Sequence, residues 1–362
     1  MPDKVLKEEE RVALEVRSLY KKYGYLPYKM SKFEEYDLYV ANKEFLISDG
    51  VITFNDTDGK LLALKPDVTL SIIRNSADGK AKRKVYYDEN VYRISAKTKQ
   101  FKEIKQVGLE CIGDIDGYDV FETVCLAASS LALISDRYVL DVSHLGILLG
   151  VLNGISLDAA FKKEAMQALS EKNPHGLSDV CNRYGISKEN EEKLAVFLYA
   201  HGATDTVLKA IAPLCKKGEA KEAYQQLKEL CKLLSVTEYA EYVRLDFSVI
   251  NDMNYYNGIV FKGFIDGIAE GVLSGGRYDK LMARMGRNSG AIGFAVYTDL
   301  LEGFQTAKPD KDVDILLLYD EKTPILAVVR AVDALVKKGN SVSAQKSAEG
   351  LRYGQLVDMR GR

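Results

Sequence analysis

The segment KVYYDENVYRISAKTKQFKEIKQVGLECIG, residues 84–113, decides the fold because it contains extended runs on either side of a basic loop. Residues 84–87 with 90–94 predict strands, and residues 104–112 predict a further strand. In that last strand Gln106, Gly108 and Glu110 share one face, and apolar side chains occupy the other. The amide of Gln106, the absent side chain of Gly108 and the carboxylate of Glu110 along one face suit the floor of a polar pocket.

The residues upstream of this segment predict a helix, a hairpin and a second helix. Residues 5–23 place apolar side chains at helical spacing, and Gly24 can end that helix in a left-handed conformation. Residues 51–64 carry two apolar runs around the turn-rich NDTDGK and predict a β-hairpin. Pro66 then opens a helix through residues 69–75, with Asp67 or Thr69 as its cap. The apolar stripe of the first helix consists of Val12, Val16, Leu19 and Tyr23.

The residues downstream change to helical patterns and then return to extended ones. Residues 119–242 consist of long helical runs, which predict a helical insertion at about residues 141–242. Strand patterns resume at residue 244 and pass a glycine-rich turn, SGGRYD at 274–279, before AIGFAV at 291–296. Antiparallel strands interrupted by helices indicate an α+β domain over residues 1–306. The linker AKPDKD, 307–312, leads to a short C-terminal α/β segment, 311–362, where we expect a strand, a helix, another strand and a helical start.

The composition is that of an ordinary globular protein of 362 residues, with 28% charged and 47% hydrophobic residues. A net charge of −2 argues against a dedicated nucleic-acid-binding protein, because phosphate contacts usually require a basic excess. The five cysteines form no C-x-x-C pair, and no long apolar run occurs, so we expect reduced thiols in a cytoplasmic protein. Neither G-x-G nor G-x-x-x-x-G-K-[ST] occurs, and the cysteines and histidines lack metal-ligand spacing, so we expect no cofactor and no metal.

Five polar residues are candidates for a ligand site, and each has a purely structural alternative. Asp67 and Thr69 are suited to helix capping, and Glu110 is equally suited to a solvent-facing strand position. Tyr255 and Tyr256 point to opposite faces if they lie in a strand, which places at least one of them in the core. Together they suit an amino acid, because two carboxylates can hold an ammonium group and a ring nitrogen while tyrosine hydroxyls add directional hydrogen bonds.

A basic cluster follows the first of the two long extended runs. Arg93 begins this cluster, and four lysines follow it. The composition suits a phosphate or carboxylate contact, for which Arg93 and Lys102 are the candidates, although exposed lysines are also common on hairpins. The lysines are Lys97, Lys99, Lys102 and Lys105.

Taken in order, these segments resemble the catalytic core of the class II aminoacyl-tRNA synthetases, and specifically the histidyl-tRNA synthetase family. YGYLPYKMSKFEEYDLY, residues 23–39, is similar to that family's first motif, KPDVT to its amino-acid-binding loop, and residues 84–113 to its second motif. NYYNGIVFKGF, residues 254–264, resembles its histidine-specific segment, and SGGRYDKL with AIGFAV resembles its closing strands. The match covers most of residues 1–305 and implies an antiparallel sheet flanked by helices, with a helical insertion where that family carries one.

The chain departs from the synthetases at three positions that the resemblance links to chemistry. A glutamate that reads the adenine corresponds to Ser95, and an arginine that assists adenylate formation corresponds to Asn251. An arginine that clamps the ATP phosphates corresponds to Leu300. Losing two cations and an adenine contact removes electrostatic stabilisation that such a reaction depends on. The resemblance therefore implies a chain without catalytic residues.

The positions that match the family's histidine contacts are retained: Asp67, Thr69, Gln106, Glu110, Tyr255 and Tyr256. A chain that retains these binding residues but lacks the catalytic ones resembles the regulatory subunits of ATP phosphoribosyltransferase. That enzyme catalyses the first step of histidine biosynthesis. That resemblance implies a homodimer within a hetero-oligomer with a short catalytic subunit, which this chain would activate and, on binding L-histidine, inhibit. A divergent histidyl-tRNA synthetase and a synthetase-like binding module of another complex are the alternatives.

Overall fold

The computed structural model describes residues 6–42, 50–76, 79, 81–95, 98–250, 255–304 and 311–361. The chain divides into two compact units, residues 1–304 and residues 305–362. Of the predicted positions, Asn251 and Lys97 lie outside the described residues, as do positions 307–310 of the expected linker. No helix of the described ranges is both long and apolar enough to cross a lipid bilayer.

The first unit combines strands and helices throughout its length. Its described strands are β1 (Leu26–Pro27), β2 (Phe33–Glu35), β3 (Thr53–Asn55), β4 (Leu61–Leu64), β5 (Arg83–Ile94), β6 (Phe101–Gly113), β7 (Tyr138–His144), β8 (His201–Gly202), β9 (Val243–Asp246), β10 (Ile259–Ile265), β11 (Leu273–Arg277) and β12 (Gly290–Tyr297). Its described α-helices are α1 (Glu8–Lys22), α2 (Asp37–Ala41), α3 (Thr69–Arg74), α4 (Gly117–Ala132), α5 (Leu145–Ile155), α6 (Ala159–Ser170), α7 (Pro174–Arg183), α8 (Lys188–Leu198), α9 (Thr204–Ile211), α10 (Gly218–Leu234) and α11 (Asp279–Arg284).

A nine-stranded sheet of described strands forms the centre of the first unit, in the order β1-β5-β6-β12-β11-β10-β7-β9-β8. Neighbouring strands run antiparallel except for β1 with β5 and β7 with β9. A second, three-stranded sheet has the order β2-β4-β3 and contains the predicted hairpin. The α+β prediction is therefore confirmed.

Residues 84–113 contribute to the longest strand pair of the central sheet. β5 and β6 pair antiparallel from Arg83 opposite Ile112 to Ile94 opposite Phe101, so residues 84–87 and 90–94 belong to one strand. Val107 and Leu109 are fully buried in the main core, between the sheet and the helices. The predicted alternation of β6 is confirmed, because its polar residues face the other side.

Helix α1 packs against this core, although its buried stripe differs in part from the prediction. Val12, Val16 and Tyr20 are fully buried, and the Tyr20 hydroxyl hydrogen-bonds to Ser130 on α4 over 3.0 Å. Tyr23 was expected in the stripe but is 45% exposed. The helix ends at Lys22, so Tyr23 lies past its last turn and the helical spacing no longer applies to it.

The predicted helical stretch over residues 119–242 is wrong at one place. Residues 138–144 form β7, which lies in the central sheet between β10 and β9. Leu140 and Val142 are buried there, so YVLDVSH has the two-residue period of a strand within a mostly helical region. Helices α5 to α10 then follow, with only the two-residue β8 among them.

The expected glycine-rich turn at 274–279 is also a strand for most of its length. Residues 273–277 form β11, which pairs with both β10 and β12. A Cβ at Gly275 would overlap Phe294, and a Cβ at Gly276 would lie 2.6 Å from the carbonyl oxygen of Ile259. These glycines therefore allow close packing within a sheet rather than a reversal of the chain.

The second unit contains a three-stranded parallel sheet in the order β14-β13-β15 and a single described helix. The bounds are β13 (Val313–Leu318), α12 (Ile325–Lys337), β14 (Val342–Gln345) and β15 (Tyr353–Asp358). The expected helical start at the end of the segment is instead β15, which pairs with β13 from Val313 to Leu318. Pairing with a buried central strand supplies hydrogen bonds that an isolated helical turn lacks.

Candidate functional site

One cavity in the first unit gathers residues that are far apart in the sequence. Its cavity volume is about 40 Å³, and it is bounded by β5, β6, β11, β12, the start of α3 and the residues before β10. All six predicted histidine contacts line it, together with Arg93. The remaining lining residues are Val68, Tyr87, Ser274, Tyr278, Gly293, Phe294, Ala295 and Tyr297.

Small residues make the floor of this cavity. On the paired strands β6 and β12, Glu110 lies opposite Gly293 and Gly108 opposite Ala295. A Cβ at Gly293 would overlap Oε2 of Glu110, and a Cβ at Gly108 would overlap the hydroxyl of Tyr87. The glycines therefore leave the space that these two larger side chains occupy.

Glu110 is the centre of the most buried polar contacts in the cavity. Thr69 donates its hydroxyl to Oε1 over 2.7 Å, and Tyr278 donates its hydroxyl to Oε2 over 2.5 Å. The side chain is 2% exposed, and burial raises the pKa of Glu110 to about 8, against these two hydrogen bonds, which lower it. This raised pKa favours the protonated form of Glu110 near neutral pH, so the side chain offers a proton that a ligand can take up or share.

Asp67 and Arg93 form a second polar group in the cavity. Arg93 donates from Nε to the carbonyl oxygen of Pro66 over 2.7 Å, and its Nη2 lies 3.6 Å from Oδ2 of Asp67. Asp67 also accepts the backbone N–H of Leu70 over 2.9 Å, so it caps α3 as predicted while it lines the cavity. Burial raises the pKa of Asp67, and the positive charge of Arg93 opposes that rise.

Both Tyr255 and Tyr256 line the cavity, with ring centroids 4.8 Å apart. The expectation that neighbouring residues point to opposite faces does not apply, because β10 begins only at Ile259 and the two tyrosines precede it. The ring of Tyr255 also packs near that of Tyr278, with 5.7 Å between the two centroids. Aromatic side chains therefore close one side of the cavity.

The sequence analysis missed Tyr87, Tyr278 and Tyr297 as site residues. Tyr87 is the last residue of the strand predicted at residues 84–87, and its register opposite Gly108 places it on the cavity face. Tyr278 would have been found if SGGRY had been interpreted as a strand, because Ser274 and Gly276 share its spacing of two and also face the cavity region.

Lys102 does not reach the cavity. Its ammonium group lies 2.9 Å from Oδ2 of Asp299, and its side chain is half exposed. Of the positions that depart from the synthetases, Leu300 packs against the main apolar core, and Ser95 lies in the loop after β5, where its backbone N–H bonds to Gln100. Within the described ranges, histidine, cysteine and acidic residues form no cluster able to hold a metal ion.

Comparison with known proteins places this fold in a class. A family model described as histidyl-tRNA synthetase matches residues 2–301. The fold is that of the class II aminoacyl-tRNA synthetase core, as the sequence predicted. The chain belongs to the histidyl-tRNA synthetase family.

The relatives within this family bear out the finer resemblance. An ATP phosphoribosyltransferase regulatory subunit of Ruminiclostridium cellulolyticum is 26% identical, over 96% of this chain and 85% of the relative. A crystal structure described as an ATP phosphoribosyltransferase regulatory subunit/histidyl-tRNA synthetase from Bacillus halodurans covers 98% of this chain and 94% of that one, with TM-score 0.79 and 22% identity. A chain of the ATP phosphoribosyl transferase (HisG:HisZ) complex from Thermotoga maritima matches with TM-score 0.62 and 17% identity, over 79% of this chain and 96% of that one. The predicted resemblance to these regulatory subunits is confirmed.

Proposed function

We propose that this chain is a non-catalytic regulatory subunit of ATP phosphoribosyltransferase. In this proposal it joins a short catalytic subunit as a homodimer within a hetero-oligomer, activates that subunit, and transmits the binding of L-histidine as feedback inhibition. The names of its relatives support the regulatory role. The cavity supports the choice of ligand.

The observation that carries the proposal is the chemical complementarity between the cavity and an amino acid. Asp67 and Arg93 present opposite charges next to each other, with 3.6 Å between their closest charged atoms. An α-amino acid likewise carries an ammonium group and a carboxylate on one carbon, so each group meets its opposite charge. Glu110, which also lines the cavity, can share a proton with an imidazole ring, because both groups titrate near neutral pH.

The charged residues that an adenylating enzyme requires are not supplied by the corresponding positions. Leu300 is apolar and packed against the core, and Ser95 carries no charge. Asn251 is likewise uncharged, and it lies outside the described residues. The retained Arg93 is the one cation among the described residues that line the cavity. A triphosphate would therefore meet little compensating positive charge at these positions, which favours binding over chemistry.

Burial of the carboxylates gives a physical route from histidine binding to regulation. Glu110 and Asp67 are 2% and 5% exposed, and burial raises the pKa of both carboxyl groups. Burying the two carboxylates costs free energy, which the ammonium group and ring proton of histidine can offset. They do so only in a state of the complex where the cavity is closed around the ligand. Histidine then shifts the complex toward that state, because a ligand with equal affinity for both states shifts nothing.

The experiment is to assay ATP phosphoribosyltransferase activity of the short catalytic subunit from the same source, with and without this chain, while titrating histidine. We expect activation by the chain and suppression of that activation by histidine. The Glu110→Ala variant should still activate but should no longer respond to histidine. Glu103→Ala is the matched control, because Glu103 lies on the same strand but is exposed. A folded catalytic subunit that is unaffected by the chain would refute the proposal.

A divergent histidyl-tRNA synthetase is the rival, and the retention of Arg93 in the cavity is the observation in its favour. It predicts histidine-dependent exchange of pyrophosphate into ATP. A histidine-binding sample of this chain that shows no exchange would exclude it.

A further inference from the structure

Tyr297 lies at one end of the cavity, at a position that nothing in the sequence analysis singled out. It is the last residue of β12 and lies directly opposite Gln106 on β6. Its side chain lines the cavity, and its hydroxyl hydrogen-bonds with Ser274 on the neighbouring strand β11. Strand β12 is thus paired with β6 on one side at this residue, and the Tyr297 hydroxyl bonds to a residue of β11 on the other.

The strand register shows what the ring does to the shape of the cavity. Along β6 and β12 the opposed pairs on the cavity face are Glu110 with Gly293, Gly108 with Ala295, and Gln106 with Tyr297. The β12 partners are therefore small at the Glu110 end and in the middle, and large at the last position. Four residues of strand separate the two end pairs by about 13 Å. The space beside Gly293 and Gly108 is taken by the side chains of Glu110 and Tyr87, whereas at the last pair β12 supplies a large ring of its own, that of Tyr297.

Charge decides which part of a ligand faces this closed end. Among the described lining residues Arg93 is the single cation, and it lies close enough to Tyr297 to influence the ionisation of its hydroxyl. A ligand carboxylate is therefore drawn toward Arg93 and Tyr297, while a ring group reaches Glu110. Beyond Tyr297 along the chain, Asp299 pairs with Lys102 over 2.9 Å, which places a closed ion pair outside the ring.

We propose that Tyr297 sets the size limit of the site, so that the cavity takes a free amino acid and rejects derivatives extended at the α-carboxyl, such as mixed anhydrides with a nucleotide. This inference rests on the proposed function for the identity of the amino acid. It adds a residue that determines specificity by its volume. The ring excludes bulk because it leaves no room past the carboxylate, and it does so without contacting the imidazole end.

The test compares two probes by isothermal titration calorimetry on the full chain: L-histidine and the adenylate analogue 5′-O-[N-(L-histidyl)sulfamoyl]adenosine. The wild-type chain should bind histidine at least about tenfold more tightly than the analogue. Tyr297→Ala should reverse or remove that preference by tightening the analogue, with a smaller effect on histidine. Tyr297→Phe is the matched control, because it keeps the ring and loses only the hydroxyl contact with Ser274, and it should still reject the analogue.

Circular dichroism of both variants establishes that they are folded. The inference is overturned if the wild-type chain binds the analogue as tightly as histidine, if it binds no histidine, or if the folded Tyr297→Ala variant keeps the wild-type preference. Failure of the proposed function has a different signature. In that case the wild-type chain selects histidine over the analogue, yet histidine leaves the activity of the catalytic subunit unchanged.

Discussion

Replacing Glu110 by glutamine is the perturbation whose consequences follow most directly from the structure. Glutamine keeps the shape of the side chain and does not titrate; its carbonyl oxygen can accept one of the hydroxyl hydrogen bonds that Thr69 and Tyr278 donate to Glu110, and its NH2 group donates to the other hydroxyl oxygen. The variant therefore removes the proton and the charge while leaving the cavity walls in place. We expect two measurable effects, one on stability and one on histidine binding.

The stability effect follows from the raised pKa of Glu110, about 8 in the folded state against 4.5 as the unperturbed value. The folded state binds this proton more tightly than the unfolded state, so the contribution is fully present below about pH 4.5 and is lost as the pH rises to about 8. The difference between the folded-state and unperturbed pKa values corresponds to a contribution on the order of 5 kcal/mol. Glu110→Gln should lack this decline, and urea unfolding of the empty protein across that range measures it against wild type.

The binding effect follows from the single proton that Glu110 and the imidazole ring share. Histidine affinity should pass through a maximum at about pH 7, midway between an imidazole pKa of about 6.5 and the carboxyl pKa of about 8. Losing a hydrogen bond to a charged group weakens binding by about 1.5–3 kcal/mol, roughly 10- to 150-fold. Glu110→Gln should show that loss and no decline on the alkaline side.

Calorimetric titration of histidine from about pH 5.5 to about pH 8.5 tests this binding behaviour. Glu103→Gln is the control, because Glu103 is an exposed glutamate on the same strand and should leave both profiles unchanged. The reasoning would be wrong if Glu110→Gln bound histidine as tightly as wild type, or if its stability fell with pH as steeply as that of the wild-type protein.

Two further perturbations test the packing around the site and the helices beyond it. Gly293→Ala should displace Glu110 and abolish histidine binding measured by calorimetry, because the new Cβ would overlap the carboxylate. Gly154→Ala is the control, since Gly154 has open space around it in α5. This control variant should bind histidine normally and gain roughly 0.5–1 kcal/mol of stability. His144 accepts the N–H of Gly146 at the start of α5 and bonds to Gln226, and burial lowers its pKa to about 4. Because the unfolded state binds this proton more readily, the contribution of His144 to stability should fall by about 3 kcal/mol between about pH 6.5 and about pH 4. The stability difference between wild type and His144→Gln should change by that amount over this range, and a difference that does not vary with pH would contradict the assignment.

The sequence by itself determined the elements whose periodicity is local. The alternation of Gln106, Gly108 and Glu110 gave the correct face of β6, because a strand repeats every two residues whatever it packs against. The hairpin at residues 51–64 and the helix after Pro66 followed in the same way from turn and capping residues. The resemblance to the histidyl-tRNA synthetase family supplied the order of the segments.

Three features were decided only by the tertiary structure. SGGRY is a strand because Gly275 and Gly276 must admit Phe294 and the backbone of Ile259, and no local signal distinguishes that use of glycine from a turn. Residues 138–144 are a strand because β10 and β9 hydrogen-bond to both sides of them. The cavity itself depends on long-range register, since Glu110 has room only where Gly293 is its partner and Tyr297 closes the end only where it meets Gln106. Strand partners more than 180 residues away in sequence set these volumes. Residue types and their spacing could therefore identify the contacting residues but could not determine the volume that these residues enclose.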